Sequence, residues 1–275
     1  MPSNNYIQFD FEISGNEQAE LLIAVLSEKG FEGFEENEGL LSAFIRENDF
    51  SEERFASIPD HFKNFSYSRS VIEHLNWNQE WESSFKPVQV NNFAAIRAAF
   101  HEPINGIQYE IIITPKMSFG TGHHATTYLM VEQMGKLDVK DNIVLDFGTG
   151  TGILAILAEK MGAAVVTAVD NDEWSIENIK ENIEANACKN IDIHQSDAIP
   201  AGKIYDLILA NINLNVILAN LDSIGRACKK GTKVLLSGFL TADEPQLISA
   251  VLAHDFYVLE TAQKGDWLSL SIRKN

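Results

Sequence analysis

Apolar positions recur along this chain with two periods, and the alternation between them outlines its architecture. Residues 6–13 (YIQFDFEI) alternate apolar and polar side chains, the period-two pattern of a half-buried strand. Between Asn16 and Lys29 the residues Leu21, Leu22, Val25 and Leu26 fall at helical spacing, and Gly30 predicts the stop. Residues 31–45 read as strands around a turn, SEERF from Ser51 as the start of a short helix, and residues 65–72 as another strand. The pattern predicts a small α+β module over residues 1–75, without a glycine-rich ligand loop.

The stretch NWNQEWESSFKPVQVNN, residues 76–92, differs in character. Trp77 and Trp81 stand four apart, so a helical segment would carry both indoles on one face. It reads as a linker packed against one or both neighbouring domains; ligand stacking by the tryptophans is the alternative. Strands are predicted at 93–100 and 107–114, then a loop, then a helix from about Thr126. A regular alternation follows: strand 143–147, helix 153–161, strand 165–169, helix 174–186 and a candidate strand at 191–194. It continues through strand 205–210, helix 214–227, strand 233–237 and helix 245–254. Residues 257–261 and 267–272 form a closing hairpin around Gly265 and Asp266. Strand–helix alternation implies a parallel sheet covered on both faces. Ligands in such sheets sit at the carboxyl ends of the strands, where strand order reverses.

Composition narrows the class. Of 275 residues, 45% are hydrophobic and 22% charged, ordinary for a globular protein. No run reaches the roughly 18 apolar residues of a membrane helix, and residues 1–10 lack the cations and apolar core of a secretory signal. Cys188 and Cys228 are the only cysteines and lack CxxC spacing, which favours thiols in a reducing compartment. A cytoplasmic protein with no membrane partner is expected. The formal charge of −18 repels nucleic acid and steers cationic partners. Residues 1–75 hold 15 Asp/Glu against 5 Lys/Arg, a net −10. That concentration serves solubility or forms a docking surface for a basic protein, and composition leaves both open.

The candidate chemistry lies in VLDFGTGTGILAI, residues 144–156, where Asp146 precedes Gly148, Gly150 and Gly152. A dinucleotide fingerprint wants GxGxxG, and a phosphate loop needs a lysine that this segment lacks. The pattern suits S-adenosylmethionine, which has no phosphate and carries an ammonium, a carboxylate and a sulfonium. Glycines permit close backbone approach, and Asp146 can complement the cationic charge. Asp170 ends the next strand, 22 residues after Gly148, where a carboxylate can accept both ribose hydroxyls. A dinucleotide site uses that contact too, and a glycine turn that only lets helix and strand pack is the structural alternative.

The segment LILANIN, residues 207–213, is a strand ending in amides. The Asn211 amide oxygen can accept a hydrogen bond from a reacting N–H group, which makes Asn211 the candidate catalytic residue. Capping of the helix that starts near Leu214 is its other reading. His123 and His124 invite a metal or general-base role. No Cys or carboxylate cluster accompanies them, so no metal is expected and a loop-ordering role is preferred.

The loop PKMSFGTGHHATT, residues 115–127, completes a resemblance. With DxGxGxG, Asp170 and Ala-Asn-Ile behind it, the form PxMxFGTGxHxTT resembles the ribosomal protein L-eleven methyltransferase family, PrmA, over essentially the whole chain. The resemblance implies an α/β fold: a seven-stranded Rossmann-like class I methyltransferase domain over 93–275, with a smaller α+β N-terminal domain over 1–75 that recognises substrate. It implies S-adenosylmethionine-dependent methylation of the N-terminal α-amine and lysine ε-amines of a large-subunit ribosomal protein; a monomer is expected. Carried over onto this sequence, Thr127 contacts the cofactor, with Asp146, Gly148, Gly150 and Gly152 around it. Asp170 holds the ribose, Asn211 lines the reaction site, and Phe119, Gly120, Thr121 and Gly122 form a lid. Lys116, Thr149 and Asn213 depart from the family's usual Gly, Cys and Leu, the last bearing on the shape of the acceptor pocket. A methyltransferase for glutamine amides or nucleic-acid bases would carry Asn-Pro-Pro and an aromatic where this chain has Asn211-Ile-Asn. The other rival, a non-catalytic ribosome-assembly binding protein, has the intact glycine loop and Asp170 against it.

Overall fold

The computed structural model describes residues 5–37, 39–56, 66–72, 86–114 and 122–275, the side chains of Asn16 and Glu17 excepted. The chain divides into two compact units, Met1–Ser84 and Phe85–Asn275. The predicted linker tryptophans, Trp77 and Trp81, lie outside the described residues, as do Phe119, Gly120 and Thr121 of the predicted lid.

In the first unit, the alternation in β1 (Tyr6–Glu12) sends Ile7, Phe9 and Phe11 into a core and leaves Gln8 and Asp10 on the other face. Helix α1 (Asn16–Glu28) lays Ala19, Leu22 and Leu26 on that core. It closes at Gly30, whose φ of 98° is one that side chains rarely adopt. There the Gly30 N–H donates to the Ser27 carbonyl and the Phe31 N–H to the Leu26 carbonyl. Then come β2 (Gly33–Asn37), β3 (Leu40–Arg46), the one-turn α2 (Glu52–Ala56) and β4 (Tyr67–Ile72). The strands make an antiparallel sheet in the order β2-β3-β1-β4. Phe9 centres an aromatic cluster, with ring centroids 4.6 Å from Phe55 and 5.4 Å from Phe31. Burying such a ring contributes roughly 1.5–3 kcal/mol.

The second unit opens with a three-stranded sheet, β5 (Val88–Val90), β6 (Ala94–Ala98) and β7 (Tyr109–Ile113). The strands read at 93–100 and 107–114 are thus in a sheet of their own, with β5 as an unforeseen partner. Three apolar-rich residues are too few for a periodic signal. After α3 (Ala125–Met134) come β8 (Ile143–Phe147), α4 (Ile153–Lys160), β9 (Val165–Asp170), α5 (Glu173–Ala185) and β10 (Ile191–Gln195). The chain continues through β11 (Tyr205–Asn211), α6 (Leu214–Arg226), β12 (Cys228–Leu240), α7 (Glu244–Ala253), β13 (Phe256–Lys264) and β14 (Trp267–Lys274). Strand β12 is longer than the 233–237 predicted, because its polar start around Lys229 and Lys230 carries no apolar alternation.

The large sheet has the order β10-β9-β8-β11-β12-β14-β13, with β14 antiparallel to both neighbours and the other pairings parallel up to β12. This is the seven-stranded Rossmann-like arrangement. Its strands are apolar on both faces because each face has a core. Val144, Leu207, Leu209 and Leu235 pack with α3, α4 and α5, while Leu145, Ile208, Ala210 and Leu236 pack with α6 and α7. The chain runs outward from β8 to β10 and then returns to the other side of β8 as β11. The strand order therefore reverses between β8 and β11, and the crevice opens at their carboxyl ends.

Candidate active site

A 790 Å³ cavity lies at that reversal. Its lining includes Gly148, Thr149, Gly150 and Thr151 after β8, Asp170 and Asp172 after β9, Ser196 and Asp197 after β10, and Asn211 to Asn213 after β11. His124, Thr126 and Thr127 reach it from the start of α3, Gly238 from β12 and Trp267 from β14. Of the residues singled out from sequence, Thr127, Gly148, Gly150, Asp170 and Asn211 are therefore brought together. Asp146, Gly152 and Gly122 are not in the lining.

All three loop glycines adopt positive φ: 76° at Gly148, 54° at Gly150 and 82° at Gly152. The Val169 carbonyl accepts from the N–H groups of Gly148 (2.8 Å) and Thr149 (3.0 Å), stitching the turn to the end of β9. A Cβ on Gly148 would stand 2.2 Å from Ile212 Cγ2, and one on Gly152 would stand 2.5 Å from Ile179 Cγ1. Gly148 thus admits the chain after β11, whereas Gly152 admits α5 and precedes α4 directly. Gly122, at a φ of 88°, leaves room for Ile96, whose Cδ1 would lie 2.9 Å from a Cβ there.

Asp146 was expected to face cationic charge on the ligand, and the pleat decides otherwise. Val144 points to the face of α4, so two residues on Asp146 does too. Buried at 1% exposure, its Oδ2 accepts from Thr149 Oγ1 (2.6 Å) and from the Ala155 N–H (3.1 Å). It holds the loop against the first turn of α4 from beneath. Burial pushes its carboxyl up to about 7 against those two hydrogen bonds, and nearby Asp170 adds to the rise.

Asp170 does face the cavity. Its Oδ2 accepts from the Gly150 N–H (2.8 Å) and its Oδ1 from the Asp172 N–H (3.1 Å). Each carboxylate oxygen keeps a lone pair for a further donor. On the opposite wall, Asn211 Nδ2 reaches Thr127 Oγ1 at 3.4 Å. The amide oxygen of Asn211 is then the atom left to accept from an incoming N–H. Asn213, not Asn211, caps α6, its side chain accepting from the Val216 N–H at 3.0 Å.

Both histidines make hydrogen bonds where α3 begins. His124 is the N-cap of α3: its Nδ1 lies 2.8 Å from Thr126 Oγ1 and accepts from the Thr126 N–H at 3.3 Å. Its ring meets the indole of Trp267 edge-on, with centroids 4.4 Å apart. His123 Nε2 bonds the Lys86 carbonyl at 2.8 Å. Among the described residues no group of three or more His, Cys, Asp or Glu is placed to hold a metal ion.

Sequence reasoning missed Trp267, Gly238, Ser196 and Asp197. An isolated glycine inside the strand pattern VLLSGFL was a signal for Gly238. It sits at a bulge with a φ of 98°, and a Cβ there would be 2.2 Å from the Ile212 carbonyl oxygen. Ser196 and Asp197 directly follow β10, the position the strand-end rule points to.

The donor set fits S-adenosylmethionine. Among the described residues no Lys or Arg lines the cavity, whereas Asp170, Asp172 and Asp197 do. Such a lining has no side chain to neutralise a phosphate and suits a ligand carrying a sulfonium and an ammonium.

A family model described as ribosomal protein L11 methyltransferase (PrmA) matches residues 16–275. A protein of Porphyromonas gingivalis named ribosomal protein L11 methyltransferase is 38% identical over 282 residues, covering 96% of this chain and 96% of that one. A protein of the same name from Chlorobaculum parvum is 39% identical over 284 residues, covering 98% of this chain and 97% of its own. Among solved structures, ribosomal protein L11 methylase from Lactobacillus delbrueckii subsp. bulgaricus superposes with a TM-score of 0.65 at 28% identity, over 70% of this chain and 100% of that one.

Proposed function

The chain belongs to the ribosomal protein L11 methyltransferase family, and on that premise we propose how its residues methylate amines of L11, the N-terminal α-amine and lysine ε-amines. One arrangement carries the reading. A glycine loop and a strand-end carboxylate share a cavity with the Asn211–Thr127 pair, at the point where strand order reverses, and among the described residues no Lys or Arg lines it.

S-adenosylmethionine supplies a methyl carbon on a sulfonium, already a good leaving group. The protein's part is alignment, and orientation alone is worth roughly 7–11 kcal/mol of barrier. Asp170 would hold the ribose hydroxyls, with the lone pairs that Gly150 and Asp172 leave free. Gly148 would let the backbone lie close to the ligand, and Thr127 would help hold it from α3. Asn211 accepts an N–H of the acceptor and aims the nitrogen lone pair. Asp146 acts through the loop, without touching the ligand.

The acceptor must be neutral to react. At pH 7 a free lysine amine is neutral in only about 4 of 10,000 molecules, an α-amine near pKa 8 in about 1 of 10. A neighbouring sulfonium favours the neutral amine, so no dedicated base is required. Residues 1–75, with their net −10, form the part that grips the basic substrate, while the cavity belongs to the unit Phe85–Asn275, which takes in the last part of the stretch read as a linker. The enzyme works as a monomer in the cytoplasm, where L11 is made. Its net charge of −18 disfavours nucleic acid as a partner. Among the described residues no helix is long and apolar enough to cross a membrane.

The test is incubation with methyl-labelled S-adenosylmethionine and a ribosomal extract. Label on L11 alone supports the reading. Label on RNA, or cofactor binding with no label transferred, overturns it.

A further inference from the structure

Helix α5 carries Asn178 and Asn182 one turn apart on its buried face, and a third asparagine, Asn186, one turn further on as its C-cap. Asn178 and Asn182 are fully buried. A buried amide is costly unless its hydrogen bonds are made, and Asn182 makes all of them. Its Oδ1 accepts from the Thr114 N–H (2.7 Å). Its Nδ2 donates to the Thr151 carbonyl (2.8 Å) and to Asn178 Oδ1 (3.0 Å). Asn186 serves β7 and its own helix: its Oδ1 accepts from the Ile112 N–H (2.9 Å), and its Nδ2 donates to the Ile112 carbonyl (2.6 Å) and to the Asn182 carbonyl one turn back (2.7 Å).

Strand β7 is the edge of its sheet. Ile112 and Thr114 are alternate positions and so present their peptide groups on the same side. The two asparagines stand there in place of a neighbouring strand, satisfying an edge that would otherwise be bare. They differ in one respect. Asn182 also grips Thr151, a buried residue of the glycine loop that lines the cavity. The close fit of Ile179 over Gly152 brings α5 near enough for that bond.

We infer that Asn182 is a positioning residue for the methyl donor. It fixes the Thr151 peptide, and with it the glycine loop, against β7, the strand from which the chain continues into residues 115–121. It acts through Thr151, since it is absent from the cavity lining. The inference rests on the reading of this cavity as the methyl-donor site.

Calorimetric titration of the full chain with S-adenosylhomocysteine, alongside Tm and steady-state kinetics, tests it. Asn182→Asp keeps an acceptor for Thr114 but cannot donate to Thr151, and it carries the test if Asn182→Ala does not fold. Both variants should raise the Kd at least about tenfold, with kcat at saturating donor within about threefold of wild type. Asn186→Ala should lower Tm and leave Kd within about twofold. A wild-type Kd in Asn182→Asp overturns the inference. So does an equal loss of affinity in Asn186→Ala, which would mean that loosening α5 anywhere suffices. Failure of the wild-type chain to bind S-adenosylhomocysteine would instead overturn the methyl-donor reading itself.

Discussion

Replacing Gly238 by Ala probes how the acceptor side of the site is held. At a φ of 98° the new Cβ would stand 2.2 Å from the Ile212 carbonyl oxygen and 2.7 Å from its carbonyl carbon. The left-handed backbone costs an alanine about 1–2 kcal/mol, and overpacking adds about 1–3 kcal/mol. The obstructing atoms are backbone, so no rotamer relieves them; the Ile212 peptide must move and strain its N–H bond to the Ser237 carbonyl, now 3.0 Å. A loss of about 2–5 kcal/mol in a unit of this size lowers Tm by roughly 4–20 °C. Asn211 is joined to the displaced peptide, and a shift near 1 Å at a reacting group costs about 100-fold in rate. Gly148→Ala is the control, because its Cβ meets Ile212 Cγ2, a side-chain atom, at 2.2 Å. Adding Ile212→Ala should therefore recover the overpacking part of the loss in Gly148→Ala, leaving the strain of its φ of 76°, and none of the loss in Gly238→Ala. Calorimetric Tm and labelled-methyl turnover of the single and double variants form the cycle. Rescue of Gly238→Ala by Ile212→Ala, or a Gly238→Ala enzyme with wild-type Tm and kcat, would refute the reasoning.

Three further outcomes are expected. Asn211→Ala should lower kcat by about 100-fold with the donor KM within about threefold, since its proposed part is to aim the acceptor; a loss confined to donor KM would reassign it. His123→Ala and His124→Ala should keep most of their activity at alkaline pH, with His124→Ala losing about 0.5–2 kcal/mol of stability as its cap on α3 is removed; a fall of several orders in turnover would make one of them a base. The Asp146 carboxyl, raised from 3.8 to about 7, keeps a proton in the folded state that the unfolded chain has released. Its contribution to stability is complete below about 3.8 and lost as pH rises to about 7. Asn at this position should flatten that part of a denaturant-measured stability profile, and an unchanged slope would assign it to another group.

Much of the fold was readable because the large sheet is sandwiched. Strands β8, β9 and β11 are apolar on both faces and flanked by helical spacing, so period and length identify them without tertiary knowledge. The β5–β6–β7 sheet was not, since short strands that pair locally leave no signature of which sheet they join. Asp146 shows a finer limit. Its place at the end of β8 was evident, but which face it turns to is a matter of pleat parity, settled by Val144 and Leu145 packing into different cores.

The site itself divides along the same line. Its donor half is built from successive strand ends, the turn after β8, Asp170 after β9 and Asp197 after β10, each a local motif at a position the topology rule names. Its acceptor half is assembled from remote pieces. Thr127 and Asn211 approach across 84 residues. Trp267 reaches the carboxyl edge only because β14 runs antiparallel, which sets its first residue opposite Leu240 at the last of β12. A rule that searches the ends of strands passes over a residue at a strand's beginning. Most of the part proposed to hold the cofactor is therefore written in short-range sequence, Thr127 excepted, whereas the part proposed to receive the amine follows from one reversed strand and one bulge.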